Sequence, residues 1–310
     1  MTRARDANSN IVGQNPSAGA DINFALKSPG RVEVSILGSD GQLIRTLPVN
    51  GRAGLNRVWW DLRYEIPETV RLRTSPPDEP WVKVGQDGTR AFASYGSFRG
   101  NVLAAPGKYT VKLTANGKEL TQTLEVLRDP LSLGTEQDIK KQTDFMLQIR
   151  QQIAELGGMI NRLEWIRSQL QDAQQSLGKD PKAASLVKSA QQLEQQALEA
   201  EKIINDVNLA GRPEDSFRAP MQLYDKLCYL GSMLNGNWGG NSADLPPTNQ
   251  EIQLFEHYQS QIAQYRPGYQ KVIDSGVLAF NEAVKAAGAG QPISVDPPGA
   301  GTSGAQRRAP

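Results

Sequence analysis

The stretch GKYTVKLTANGKELTQTLEVLRDPLSLGTEQDIKKQTDFMLQI, residues 107–149, changes its period halfway and thereby divides the chain. In its first half apolar and polar residues alternate through Gly107-Lys108-Tyr109-Thr110-Val111-Lys112-Leu113 and again through Leu120-Thr121-Gln122-Thr123-Leu124-Glu125-Val126. Such alternation puts one face of a strand on a core and the other in water. Asn116-Gly117 between them tolerates the positive φ of a tight hairpin turn. At Arg128-Asp129-Pro130 the alternation stops, because proline biases the residue before it away from helix and marks a boundary. From Thr135 onward Met146, Ile149, Ile153, Leu156, Ile160 and Leu163 recur at spacings of three and four, the seam of a helix packed in a bundle or an antiparallel coiled coil.

Upstream, the strand pattern extends back to about Ala20. Asp21 to Leu26 alternates, Arg31 to Leu37 alternates with Val32, Val34 and Ile36 on one face, and Ser39-Asp40-Gly41 leads into Gln42 to Leu47 as a second hairpin. In Asn56-Arg57-Val58-Trp59-Trp60-Asp61-Leu62 the residues Val58, Trp60 and Leu62 share a face, which makes Trp60 the core tryptophan. Six or seven short antiparallel strands at this spacing predict a small immunoglobulin-like β-sandwich over 19–130 without the paired cysteines of antibody domains. Residues 64–106 interrupt it with five prolines and with Trp81, Phe92, Tyr95 and Phe98. An insertion this long either covers a sheet edge, docks on the other domain or recognises a partner.

Downstream, the pattern is helical throughout. Asp180-Pro181 reads as a cap followed by proline at the first helical position, before Leu186, Ala190, Leu193, Ala197, Ala200 and Ile204. Leu223, Leu227, Leu230 and Leu234 mark a shorter helix, and Thr248 with Glu251 forms a capping box for the last one, which Pro267 is expected to bend or break. Gly157-Gly158 inside the first helix signals either a kink or a close neighbour. The expected architecture is therefore α+β multidomain: a flexible lead-in over 1–18, the N-terminal antiparallel sandwich over 19–130, an up-and-down four-helix bundle over 131–287, and a disordered Gly/Pro/Ala tail over 288–310.

Composition excludes much. The 310 residues hold 34 Lys+Arg against 33 Asp+Glu, a net charge of +1, so no global field draws the chain to nucleic acid. No apolar run reaches the roughly 18 residues of a membrane span, and MTRARDANSN has no apolar segment of a signal peptide behind its basic residues. One cysteine, Cys228, and one histidine, His257, exclude an internal disulfide, a thiolate metal cage and a His-His zinc site. Neither a metal nor a cofactor is expected.

The quoted strands carry a resemblance. Gln14-Asn15-Pro16-Ser17-Ala18-Gly19-Ala20, Gly54-Leu55-Asn56-Arg57-Val58-Trp59-Trp60-Asp61-Leu62-Arg63, Ala105-Pro106-Gly107-Lys108-Tyr109-Thr110-Val111 and Arg128-Asp129-Pro130 with the long helices after it resemble the C-terminal module of bacterial exported proteins. Those proteins are built from sialidase-type (bacterial neuraminidase) repeats, are related to sortilin-like propellers, and are often labelled glycosyl hydrolases. The sandwich is also similar to the immunoglobulin-like domain of the flagellar hook-capping protein. The resemblance covers roughly residues 12–285 and implies an exported location, a propeller partner on the N-terminal side, and glycosidase chemistry, if any, in that propeller. The chain lacks the Ser-x-Asp-x-Gly-x-Thr-Trp turns that mark such blades.

Within this sequence the residues themselves offer little chemistry. A glycosidase needs two carboxylates about 5–9.5 Å apart across a sugar, and Asp61, Glu65 and Glu68 beside aromatic residues are the one cluster that invites the idea. Strand-end acids next to Arg63 more commonly stay solvated or paired. Trp59, Trp81 and Tyr95 offer flat faces that stack on sugar rings, against packing as the plainer role. His257 reads as a surface or seam residue, Cys228 as a small buried hydrophobe, and the Gly-rich stretches near 236–240 and 299–304 lack the Lys-Ser/Thr ending of a phosphate loop. Gln169, Gln171, Gln174, Gln175, Gln191, Gln192, Gln195 and Gln196 read as solvated helix faces or a partner interface. The sum is a non-catalytic accessory, binding or spacer region, with glycan or another protein as ligand. The alternatives are a scaffold pairing through its helices and a self-contained glycosidase.

Overall fold

A computed structural model describes residues 19–92, 98–211, 220–235 and 244–298. The fold is mixed α+β, with six strands in two antiparallel sheets and four helical rods among the described residues. Two units emerge: residues up to Arg63 with Thr110–Thr123 form one, and Tyr64–Tyr109 with the chain from Leu124 onward form the other.

In the sheet unit, turn chemistry sets the pairing. Strand β2 (Gly30–Leu37) pairs with β3 (Leu43–Gly51) and with β5 (Gly107–Ala115); β6 (Lys118–Val126) lies outside β5, giving the order β3-β2-β5-β6. Gly41 at φ 79° and Asn116-Gly117 at φ 49° and 72° take the left-handed conformations their hairpins need. Val34 lies opposite Leu47 on one side and Leu113 on the other, so period two places Val32, Val34, Ile36 and Val111 together in the core. Burial of each such side chain is worth about 1.5–3 kcal/mol. The second sheet pairs β1 (Ala20–Leu26) with β4 (Gly54–Trp60), Ile22 opposite Val58. Trp60 is fully buried and donates its Nε1–H to the Arg63 carbonyl at 3.0 Å. Alternation carries this strand to Leu62, but the strand ends at Trp60. Leu62 turns to φ 58° and the Asp61 carboxylate accepts the Arg63 N–H, so the chain leaves the sheet in a tight turn.

The helical unit is organised by α1 (Glu136–Leu177), whose 42 residues span about 63 Å. Thr135 and Asp138 form a reciprocal capping box at its start. Helix α2 (Ala184–Ile204) follows a 3₁₀ turn in which Asp180 accepts the Lys182 N–H and proline stands first. Helix α3 (Leu223–Leu234) and α4 (Asn249–Gln270) follow, and α4 continues through a π-turn (Lys271–Gly276) into α5 (Val277–Ala287) as one rod. The seam residues named from spacing on α1, α2 and α3 are all buried. Pro267 does not break the rod: buried Ile262, Tyr265, Tyr269 and Val272 hold it on both sides of the missing N–H, and the wider π-turn just beyond takes up the register. Gly157 marks a close neighbour in an unbroken helix, since a Cβ there would meet the Tyr224 ring at 3.5 Å and the Glu68 carbonyl at 3.6 Å. Among the described residues no helix is long and apolar enough to cross a membrane.

Two segments without regular structure complete this unit. Residues 64–106, which the sequence presents as an insertion in the strand half, send Val70, Leu72, Phe98 and Val102 into the helical core. Phe98 packs against Gly231, where a side chain would collide with its ring, and its N–H donates to Ser232 Oγ at 2.8 Å. Residues 288–298, whose composition reads as part of a disordered tail, are instead laid along α1 and α5 with Ile293 buried. The lead-in 1–18, Tyr95 and the Gly-rich stretches 236–240 and 299–304 lie outside the described residues.

Candidate functional site

The strongest concentration of chemistry is a buried charged cluster between α1 and α2. Arg167 continues the seam of α1, four residues after Leu163 and three before Leu170, so the helix itself aims a guanidinium into the core. It meets Glu164 at 3.0 Å and Glu201 of α2 at 2.7 Å, all three side chains at most 2% exposed, and the partly exposed Glu194 at 3.4 Å. Asn205 donates to Glu201 at 3.1 Å.

The cluster reaches from the helices into the 64–109 segment. Glu164 accepts the backbone N–H groups of Arg73 and Thr74 and the Thr74 hydroxyl, the last at 2.9 Å. One turn earlier Asn161 accepts the Arg71 N–H at 2.7 Å and donates to the Thr69 carbonyl at 3.0 Å. Buried Arg90 closes the far side: Nε donates to the Thr74 carbonyl at 2.6 Å, and its terminal nitrogens donate to the Val207 and Leu209 carbonyls beyond the end of α2. Segment 69–90 is thus fastened at several backbone groups between Thr69 and Thr74 by side chains of α1 and by one arginine of its own.

Electrostatics follow from burial. Two carboxylates face one guanidinium in a dry site, so ionising both leaves an uncompensated charge. Burial first, and then the Glu164 charge, push the Glu201 carboxyl up to about 8, against the pull of Arg167 and Asn205. Burial alone would lower the Arg167 guanidinium, but Glu201 and Glu164 hold it above its ordinary value. The site keeps a proton near neutrality. The Tyr265 hydroxyl, also buried and making no hydrogen bond, feels the Glu201 charge after the larger effect of its own burial, and both raise it.

The sequence-level candidates fall elsewhere. Trp59 on β4 is 37% exposed, with the Arg57 guanidinium 5.9 Å over its ring, and belongs to the sheet unit. Trp81 is 64% exposed and belongs to the helical unit. Asp61 caps its own turn in the sheet unit, while Glu65 begins the 64–109 segment and offers its backbone carbonyl to Arg150 at 2.9 and 3.1 Å. His257 is exposed beside Tyr258. Cys228 is fully buried, and burial pushes its thiol up to about 12, away from thiolate chemistry. Among the described residues no three His, Cys, Asp or Glu side chains gather as a metal site. Glu164, Arg167 and Glu201 carry no motif; the one sequence signal was an arginine in the next seam position after Leu163. No family model, curated protein or solved structure matches this chain.

Proposed function

We propose that this chain is a non-catalytic accessory region, a binding or spacer module of an exported protein built from sialidase-type repeats, whose glycosidase chemistry, if any, resides in an N-terminal propeller. The observation that carries this reading is the use of buried charge. Glu164, Arg167 and Glu201 close on one another, and Glu164 and Arg90 close on the backbone of the chain's own segment 69–90, so they act as fasteners. An immunoglobulin-like sandwich is the finer reading of the sheet unit. Its support is the strand order, a β1-β4 pair and a β3-β2-β5-β6 sheet, which corresponds to the B-E pair and the C′-C-F-G sheet of that architecture. The Tyr109 hydroxyl, near the start of β5, donates to the carbonyl of Ala105 four residues upstream, in the manner of a tyrosine corner. An up-and-down four-helix bundle is the finer reading of the other unit, supported by the packing of α1 on α2 and α3 and of α2 on α5.

Binding falls to aromatic faces. Trp81 in the helical unit is 64% exposed and Trp59 in the sheet unit 37%, and each is proposed separately, as is Tyr95 from the sequence alone, to stack on a sugar ring or a protein surface. The scaffold alternative, pairing through the helices, draws support from a groove of about 470 Å³ between α2 and the last rod, where Ala200, Ile203 and Val272 lie under Gln195 and Gln264.

The test is the genomic frame upstream of the Met1 codon together with a glycan array. An in-frame run of sialidase-type blades, and array binding that Trp81→Ala weakens at least tenfold, is the expected result. A stop codon closing the frame, or glycan hydrolysis by this chain that is lost in a folded Asp61→Asn/Glu65→Gln variant, would overturn the reading.

A further inference from the structure

The segment 293–297, Ile-Ser-Val-Asp-Pro, is held in a way that resembles a bound peptide more than a loop. The Asn281 side-chain amide on α5 takes the Ile293 backbone at both ends, accepting its N–H at 2.8 Å and donating to its carbonyl at 2.9 Å. The Gln169 amide on α1 does the same for Ser294, at 2.9 and 2.8 Å. A carboxamide carries the same donor and acceptor pair as a peptide group. The two amides thus take the backbones of two successive residues from two different helices, as a peptide-binding surface does. Backbone recognition of this kind is indifferent to side chains, and selectivity is added by three further contacts. Ile293 is buried against the core, Trp165 Nε1 donates to Ser294 Oγ at 2.8 Å, and Arg162 meets Asp296 at 2.7 Å.

We propose that the face formed by Arg162, Trp165, Gln169 and Asn281 is a binding site for an extended peptide, and that its occupant in trans is the 293–297 segment of a second copy of this chain. Complementarity to that segment is already on the page, including the Arg162–Asp296 charge pair. The connection supplies the means of exchange: residues 288–292 are Gly-Ala-Gly-Gln-Pro, with Gly288 and Gly290 held at φ 60° and 82°. Straightening two left-handed glycines releases conformations that few other residues adopt and carries the segment away from its own α1. The polar contacts it leaves are neutral hydrogen bonds and an ion pair exposed at both ends, and the one core side chain it withdraws, Ile293, is re-buried in the partner copy's equivalent site, so release is local. Reciprocal exchange uses the same patch on both copies and closes as a two-fold dimer. This inference is independent of the ligand reading above.

The experiment has two arms on the full-length chain. In the first, a fluorescent peptide of residues 290–298, GQPISVDPP, is titrated into the Ile293→Asp/Asp296→Arg variant, whose own segment is expelled. Saturable binding is expected, at least tenfold weaker to the wild-type chain, where the segment in place competes, and lost when Gln169→Ala and Asn281→Ala are added. In the second arm, differently tagged wild-type copies are mixed at high concentration and examined by sedimentation and affinity capture. A mixed dimer that Gln169→Ala/Asn281→Ala depletes is expected. A folded variant that does not bind the peptide, or wild-type copies that stay monomeric and never mix, would overturn the proposal; the second arm stands even if the expelled variant fails to fold.

Discussion

Two irregular segments lie along α1, and they are held by opposite means. Segment 69–90 is fastened by buried polar and charged side chains in a dry site, with Glu164, Arg167 and Glu201 almost wholly out of water. Segment 293–297 is held by neutral amides, by the single buried side chain of Ile293 and by the Arg162–Asp296 pair, whose side chains are 44% and 61% exposed. A desolvated charge that loses its partner is costly, whereas an exposed pair in water gives up little. The first segment is therefore built as part of the helical core, and the second as something that can leave.

The contrast breaks most visibly at Arg167. Arg167→Met strands two buried carboxyls and should cost about 3–5 kcal/mol in urea unfolding, while Glu164→Gln/Arg167→Met/Glu201→Gln should recover most of that loss. If the single and triple variants are equally stable, the cluster is not a fastener. Gly231→Ala comes next, forcing a methyl group onto the Phe98 ring at a cost of about 1–3 kcal/mol. Gly158→Ala, in open space on α1, should instead stabilise by about 1 kcal/mol, and the pair of melts checks both signs.

The pH dependence sharpens the same comparison. The Glu201 carboxyl sits near 8 in the folded protein against 4.5 for an ordinary glutamate, so the folded state holds this proton more tightly than the unfolded one. Its contribution is complete below about 4.5 and is lost as pH rises through about 8, so the unfolding free energy falls across that window. Glu201→Gln should flatten the profile between pH 5 and 9, and a wild-type profile already flat over that range would count against the buried proton. The smallest effect belongs to the other segment: Asp296→Asn should change stability by less than about 0.5 kcal/mol.

Legibility in the sequence followed locality. Asp40-Gly41 and Asn116-Gly117 specify their hairpins within four residues, and Thr135, Asp180-Pro181 and Thr248 with Glu251 specify their helix starts equally locally. The three-four series on α1, α2 and α3 named buried residues because a helix face is a local property. Residues 69–90 have no period, and their fastening depends on Glu164, Arg167 and Glu201, about 75–130 residues away in sequence, so only the arginine in the α1 seam hinted at it. The 293–297 segment was hidden by its Gly/Pro surroundings, and Gln169 passed for a solvated side chain although it grips Ser294. Pro267 marks the limit of a local rule, since tertiary burial on both sides outweighs the one hydrogen bond it removes.

Amide hydrogen exchange at Arg73 and Thr74 in a Glu164→Leu variant tests the fastening most directly, because both N–H groups end on that carboxylate. The expected result is a loss of protection at these two amides of at least a hundredfold, with the α1 amides around Ile149 and Ile153 changed far less. Unaltered protection at Arg73 and Thr74 would contradict the claim that buried charge holds the segment to the helices.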